Sequence, residues 1–129
     1  MTDLSEFQAL QDSLNQAIDV TVLHPVTGAE LGVTIKVVSY QSRIGRERVM
    51  GIIGKWRAKA RNGKLTLEQE TVQSREILAA MIVGWEGLEE NKKPVEYSQA
   101  KALEIVRDYQ VIADAVDAAV GDREAFFSK

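Results

Sequence analysis

The sequence predicts a mainly helical α+β domain, with an N-terminal β-hairpin at about residues 19–39 and about five helices. Three observations lead to this fold class. Apolar and polar residues alternate in the segment from Asp19 to Val37, whereas elsewhere apolar residues recur at steps of three and four. The 129 residues, 45% of them hydrophobic, are enough for one packed core. We therefore expect a single domain that spans residues 1–129.

The N-terminal segment predicts a short amphipathic helix that leads into the hairpin. Apolar residues at helical spacing run from Leu4 to Ile18, and Asp3 precedes them as a candidate N-terminal cap. Pro25 and Gly28 separate the two alternating runs, because proline fixes one backbone angle and glycine tolerates a positive φ. These two residues predict the turn of the hairpin.

Four further helices are predicted after the hairpin, each from apolar periodicity that starts near a capping residue. Their approximate ranges are 44–62, 66–85, 98–109 and 108–120. Ser39 or Ser42 can cap the first of these helices, and Gly84 and Gly87 are expected to end the second. A polar turn at residues 89–94 and a short extended piece separate the second from the third.

The composition argues against most enzyme chemistry. No cysteine is present, which excludes disulfides, thiolate zinc sites and cysteine nucleophiles. The single histidine, His24, lies beside Pro25, so no histidine pair is available for a metal ion or a proton relay. The first six residues carry two acidic side chains and no basic one, and the apolar runs are too short to span a bilayer. We expect a cytoplasmic, non-enzymatic protein that has no cofactor, no metal and no membrane partner.

Charge is distributed unevenly, although the net charge is only −3. Residues 43–64 carry eight basic side chains against Glu47 alone, whereas residues 86–124 carry ten acidic against five basic side chains. Complementary surfaces of this kind predict self-association, head to tail into a ring or spiral if they lie on different sides of the fold. The candidate residues for this contact are Arg43, Arg46, Arg57, Lys59, Arg61, Asp114 and Asp117.

The basic stretch has two other interpretations. It can be a solvated helix face, because lysine and arginine are common on exposed helices. It can also be the contact surface of a small nucleic-acid-binding regulatory protein, in which Arg57, Lys59 and Arg61 pair with phosphates. An isoelectric point of about 5.2 and the scarcity of nearby aromatic residues make this alternative the weaker one.

Three phenylalanines are candidates for contact with a partner. Phe126 and Phe127 are adjacent and cannot both face one core on a regular helix, so one of them is expected to be exposed or covered by a partner. Phe7 lies on the apolar face of the first helix. Trp56 and Trp85 are each expected at the apolar edge of a helix, as core residues.

Residues 82–98 form a motif centred on a tryptophan: IVGWEGL at 82–88, a polar turn, and KPVEYS at 93–98 before a helix. This motif resembles the tail assembly chaperones of long-tailed bacteriophages, especially those with flexible, non-contractile tails. The hairpin that leads into residues 39–43 and the paired phenylalanines near the end are further similarities. The glycines of the family's polar turn are replaced here by Asn91 and Lys92.

The motif residues have a structural interpretation, and none of them suggests catalysis. Trp85 is expected to be a large anchor at a helix end, and Gly87 allows the chain to turn. Pro94 and Ser98 are expected to set the start of the next helix.

The resemblance implies a function in virus assembly. A member of this family binds the tape measure protein, a very long helical chain, and keeps it soluble while tube subunits polymerise around it. It acts in the host cell cytoplasm and is absent from the mature virion. Family members self-associate and are often made in two lengths by a translational frameshift. This chain would be the shorter form, with the longer form and the tail tube protein as further possible partners.

Overall fold

In the computed structural model, helices cover one face of a small antiparallel sheet. The structure describes residues 1–127. The predicted class, α+β and mainly helical, is confirmed. The helices are α1 (Leu4–Asn15), α2 (Arg43–Lys59), α3 (Leu67–Ala80), α4 (Gln99–Asp108), α5 (Gln110–Val120) and α6 (Arg123–Phe127). The strands are β1 (Ile18–Leu23), β2 (Glu30–Val37), β3 (Ile82–Glu86), β4 (Glu89–Glu90) and β5 (Lys93–Pro94).

The predicted hairpin is confirmed as β1 and β2, and β3 extends it into a sheet of order β1-β2-β3. Val20, Ile35 and Trp85 lie opposite one another across the three strands. The neighbouring pair, Asp19 and Lys36, is exposed to solvent. This alternation is typical of a sheet with one buried and one wet face, and it is the pattern that predicted the hairpin.

The core lies between the inner face of the sheet and helices α3, α4 and α5. Helix α5 packs against β1 and β2, whereas α3 and α4 pack against β3. Several apolar side chains in this layer are fully buried: Ile35, Val37, Met81, Ile82, Val116 and Phe126. Because these side chains come from both layers, the helices and the sheet stabilise one common core.

The helix predicted at residues 66–85 is wrong in its last part. Helix α3 ends at Ala80, and the chain passes almost directly into β3. The N–H of Val38 donates to the carbonyl of Met81 at 2.8 Å, and β3 then pairs antiparallel with β2. The apolar run at residues 82–85 fits a helix or a strand equally well, so the distant strand β2 decides by supplying hydrogen bonds. Trp85 therefore lies on a strand.

Two other helix ends differ from the predicted ones by three residues, whereas Ser42 is confirmed as a cap. Helix α1 ends at Asn15 because Ile18 pairs with Val37 as the first residue of β1. Ser42 caps α2, its hydroxyl accepting the N–H of Gly45 at 2.9 Å. Helix α2 ends at Lys59, three residues early, because residues 61–64 form a tight turn instead of a further helical turn. The chain also has a short sixth helix, α6, where about five helices were predicted.

The carbonyl of Ile82 joins the start of β3 to side chains from the neighbouring helices. The Ile82 oxygen accepts hydrogen bonds from the hydroxyl of Tyr97 at 2.8 Å and from the amide of Gln99 at 2.9 Å. The guanidinium of Arg48 donates to the same oxygen at 3.3 Å and to the Ala80 carbonyl at 2.8 Å. Helix α2, the end of α3 and the start of α4 are therefore fixed to the first residue of β3.

The turn between β4 and β5 has a left-handed backbone of the kind that glycine favours, although it contains no glycine. Asn91 and Lys92 have φ values of 53° and 65°, so both lie in the left-handed region. Two consecutive positive φ values are the requirement of the type I′ turn, which connects strands through two residues. Asparagine tolerates this conformation, whereas lysine adopts it at a cost.

Replacement of Gly87 by alanine is expected to destabilise the protein by about 2 kcal/mol or more. Gly87 has a φ of 84°, and a Cβ there would lie 1.9 Å from the carbonyl oxygen of Gly32. Gly54→Ala is the matched control, because a Cβ at this helical position meets no atom within 4 Å. It should stabilise the protein by about 1 kcal/mol. Urea unfolding followed by circular dichroism measures both changes, and equal midpoints for the two variants would contradict the packing described here.

Replacement of Lys92 by glycine is expected to raise the free energy of unfolding by about 0.5–1 kcal/mol. The substitution removes the strain of a left-handed lysine, partly offset by the greater flexibility of glycine in the unfolded chain. Lys93→Gly, at the next residue, which lies in β5, is the control and should not stabilise. Thermal unfolding measures the difference, and a lower midpoint for Lys92→Gly would mean that the left-handed conformation is not strained.

Candidate partner-binding surface

The first two turns of α1 present an apolar face that the rest of the described chain leaves about half exposed or more. Leu4, Phe7 and Leu10 recur at steps of three and therefore lie on one side of the helix. Leu4 is 81% exposed and Phe7 is 54% exposed, and Leu10 is about equally open. Large apolar side chains that are contiguous and exposed are typical of interaction sites.

The C-terminal end of α1 is fixed to the domain, which holds this apolar face in place. Leu14 is buried in the core. The side-chain oxygen of Asn15 accepts the N–H of Arg43 at 3.0 Å, at the start of α2. At the other end of the helix, the carboxylate of Asp3 accepts the N–H of Ser5 at 2.8 Å and acts as the predicted cap. The apolar face is thus part of a capped, anchored helix.

The two phenylalanines near the end of the chain have opposite environments. Phe126 is 0% exposed and belongs to the core, so it offers no surface to a partner, in contrast to the predicted partner contact. Phe127 is 36% exposed, and the guanidinium of Arg123 lies 5.7 Å from its ring centre. Helix α6 packs against α1, so Phe127 and the apolar face of α1 lie on neighbouring elements.

The predicted basic residues lie on and just after α2, and most of them are exposed. Arg43, Arg46 and Arg57 are exposed along the helix, Lys59 is its last residue and Arg61 follows in the next turn. Arg43 pairs with Glu47 at 3.5 Å within the helix. The stretch is therefore a cationic surface that the acidic residues of the described chain only partly neutralise.

The basic stretch also contributes to the fold. Arg48 is partly buried and donates to the end of α3, as described above. Trp56 is buried on α2, as predicted, and the ammonium of Lys59 lies 5.0 Å from its ring centre. Lys55 pairs with Glu76 of α3 at 2.8 Å. These contacts hold α2 against α3 and leave its other side open.

The predicted acidic partners, Asp114 and Asp117, lie on α5 beside an open groove of about 410 Å³. Tyr40 and Arg75 line the same groove, and the Gln110 amide donates to Asp114 at 2.7 Å. Burial, followed by the nearby charge of Asp117, raises the pKa of the Tyr40 phenol. Among residues 1–127, no ion pair joins these aspartates to the basic residues of α2. The two sets therefore remain separate within one chain.

The tryptophan motif is used to build the fold. The indole N–H of Trp85 donates to the carbonyl of Val95 at 2.8 Å, and its ring meets that of Tyr97 edge to face at 5.1 Å. Pro94 lies in β5, and the hydroxyl of Ser98 accepts the N–H of Lys101 at 3.0 Å as the cap of α4. These contacts hold the β4–β5 turn against the outer edge of the sheet.

The described residues contain no group of three or more acidic or histidine side chains arranged to hold a metal ion. His24 accepts the N–H groups of Val26 and Thr27 through its Nδ1 atom and serves to close the hairpin turn. Between residues 1 and 127 no helix combines the length and the apolar character needed to cross a bilayer.

Truncation of Phe126 to alanine is expected to destabilise the protein by about 3–5 kcal/mol, because it opens a cavity in the core. Truncation of the neighbouring Phe127 should cost less, about 1–2 kcal/mol, since this side chain keeps about a third of its surface in solvent and is not part of the buried core. Chemical unfolding of the two variants measures the difference. Similar losses for both would contradict the assignment of Phe126 alone to the core.

Comparison of the chain with protein-family models, with curated proteins and with solved structures gives no match in any of the three.

Proposed function

We propose that this protein is a non-enzymatic assembly chaperone that binds the tape measure protein of a long-tailed bacteriophage. It would keep this long helical chain soluble in the host cell cytoplasm while the tail tube polymerises, and would not remain in the mature virion. The observation that carries the proposal is the open apolar face of α1, formed by Leu4, Phe7 and Leu10.

A helical client suits this face because an amphipathic helix buries its apolar stripe against another apolar surface. The same helix carries the acidic residues Asp3, Glu6 and Asp12 and no basic residue. Charge around an apolar surface keeps a protein soluble while that surface stays available. Both properties are needed by a protein that shields another chain without folding around it.

The length of the surface supports action in many copies. Helix α1 has 12 residues and is therefore about 18 Å long, so one copy can cover only a few helical turns of a client. A tape measure protein is far longer than that, and coverage would require a series of copies along it. The longer frameshift form and the tail tube protein would be further partners of the same assembly.

The tryptophan motif supports the proposal through sequence likeness and provides no binding group of its own. Its residues Trp85, Gly87 and Ser98 are occupied with contacts inside the domain. A family signature made of residues that build the fold is expected of proteins that share a scaffold and bind through their surfaces.

Nucleic-acid binding by the basic stretch is the second candidate function. The exposed cations of α2, among them Arg43, Arg46 and Arg57, are the observation that favours it. Such binding would fall steeply as salt increases, because each phosphate contact releases counterions. A gel shift of nonspecific DNA by the purified protein tests it, and a shift at physiological salt would favour this candidate over the chaperone.

Co-expression with the tape measure protein encoded in the same phage genome tests the chaperone function. The wild-type chain should raise the soluble fraction of the tape measure protein and co-purify with it. Phe7→Ser combined with Leu10→Ser should weaken retention by about tenfold or more, since central apolar anchors dominate such interfaces.

Val26→Ser is the control, because Val26 is an exposed apolar residue in the hairpin turn, away from α1. It should leave retention and solubility unchanged. The proposal fails if the tape measure protein stays soluble and abundant without this chain, or if the α1 variant retains it as well as the control does. Circular dichroism of the variants separates lost binding from lost folding.

A further inference from the structure

A small apolar pocket lies between the β4–β5 turn and the junction of α4 with α5. Apolar side chains form its walls: Leu88, Val95, Ile105, Tyr109 and Ile112. Its volume is about 220 Å³, below the 300–1,000 Å³ that is typical of small-molecule sites. A pocket of this size suits a single apolar side chain from a protein partner, as hot-spot pockets at interfaces do.

The rim of this pocket is acidic. Glu89, Glu90 and Glu104 surround it together with one cation, Lys101. The ammonium of Lys101 bonds to Glu90 at 3.0 Å and to Glu104 at 3.4 Å, so a single positive charge is shared between two carboxylates. The excess of negative charge favours a partner whose apolar anchor is flanked by basic residues.

The outer face of α2 has that composition. Met50 is 64% exposed. Arg43 and Arg46 precede it by seven and four residues and Arg57 follows it by seven, so these side chains lie along one stripe of the helix. Arg43, Arg46, Glu47 and Met50 line one shallow surface hollow, where Glu47 pairs with Arg43 and leaves Arg46 as the cation that has no ion pair among the described residues. The buried side of α2 is turned to α3, so this stripe is open in the isolated chain.

We infer that α2 of one copy docks on the pocket of a second copy, with Met50 filling the pocket and Arg43 and Arg46 facing Glu89 and Glu104. The two surfaces have opposite charges, and the exposed Met50 of one matches the apolar pocket of the other. This contact does not use the α1 face proposed for the client.

The contact is heterologous, since the two surfaces are different parts of the chain. Each copy then has one free surface of each kind, and copies add head to tail until a ring closes or a filament grows. The acidic side of self-association lies at Glu89 and Glu104 in this arrangement, not at Asp114 and Asp117 as the charge distribution of the sequence predicts. The basic side keeps the predicted Arg43 and Arg46.

Sedimentation velocity of the purified chain tests the contact. The average mass should rise with protein concentration and fall when sodium chloride increases from about 0.05 M to about 0.5 M, because salt screens the rim charges. Met50→Ala should weaken association by about tenfold or more. Val72→Ala, which truncates an exposed apolar residue of α3, is the control and should leave association unchanged.

Charge reversal distinguishes this interface from general charge attraction. A chain with Arg43→Glu and Arg46→Glu should stay monomeric, as should a chain with Glu89→Arg and Glu104→Arg. Mixing the two should restore association, because the unaltered α2 of one variant meets the unaltered pocket of the other. Arg75→Glu with Glu68→Arg, exposed charges of α3, is the control pair and should associate like the wild type.

The proposal is overturned if the wild-type chain is monomeric at every salt and concentration, or if mixing folded variants restores nothing. Retention of the tape measure protein is measured on the same variants. A monomeric wild type that still retains the tape measure protein would remove this interface and leave the proposed function standing, whereas an associating chain that retains none would do the reverse.

Discussion

The carbonyl of Ile82 is the point on which the arrangement of sheet and helices depends. It lies where α3 gives way to β3, and it accepts hydrogen bonds from side chains of α2, of the segment before α4 and of α4 itself. Ile82 is fully buried, and leaving its carbonyl unpaired would cost about 1–3 kcal/mol. Arg48, Tyr97 and Gln99 provide the partners, and in doing so they place three elements around one strand.

This junction also explains why the tryptophan motif lies where it does. Once β3 is paired with β2, Trp85 faces inward opposite Ile35, and its indole N–H reaches the Val95 carbonyl. Gly87 must then pass close to the backbone of Gly32, a contact that any side chain would block. The motif is thus a set of contacts that closes one edge of the sheet. Its chemistry is that of packing and hydrogen bonding.

The proposed contacts use surfaces that this packing leaves exposed. Helix α1 is anchored at its C-terminal end, so its first two turns extend beyond the core with their apolar side chains uncovered. The outer stripe of α2 is left open because the opposite side of that helix is used against α3. One surface is apolar within an acidic helix and the other is apolar within a basic helix, so they suit different partners.

Local patterns were sufficient to predict the elements that depend on neighbouring residues. The alternation in the hairpin, the caps at Asp3 and Ser98 and the fold class all follow from short-range rules, and the structure contains them. Phe7 lies on the apolar face of α1, as its spacing predicts, but only the packing of the helices leaves it 54% exposed. Asn91 and Lys92 show a limit of such rules, since their left-handed geometry is imposed by the strands that they join.

Tertiary contacts decided what the sequence pattern left open. Residues 82–86 could continue a helix or form a strand, and only hydrogen bonding to the remote strand β2 selects the strand. Adjacent Phe126 and Phe127 are chemically identical, and the packing of α6 against α1 determines which of them is buried. The pocket between the β4–β5 turn and α5 joins residues far apart in the chain. The sequence gives the charge and size of each side chain, whereas only the fold determines which side chains come into contact.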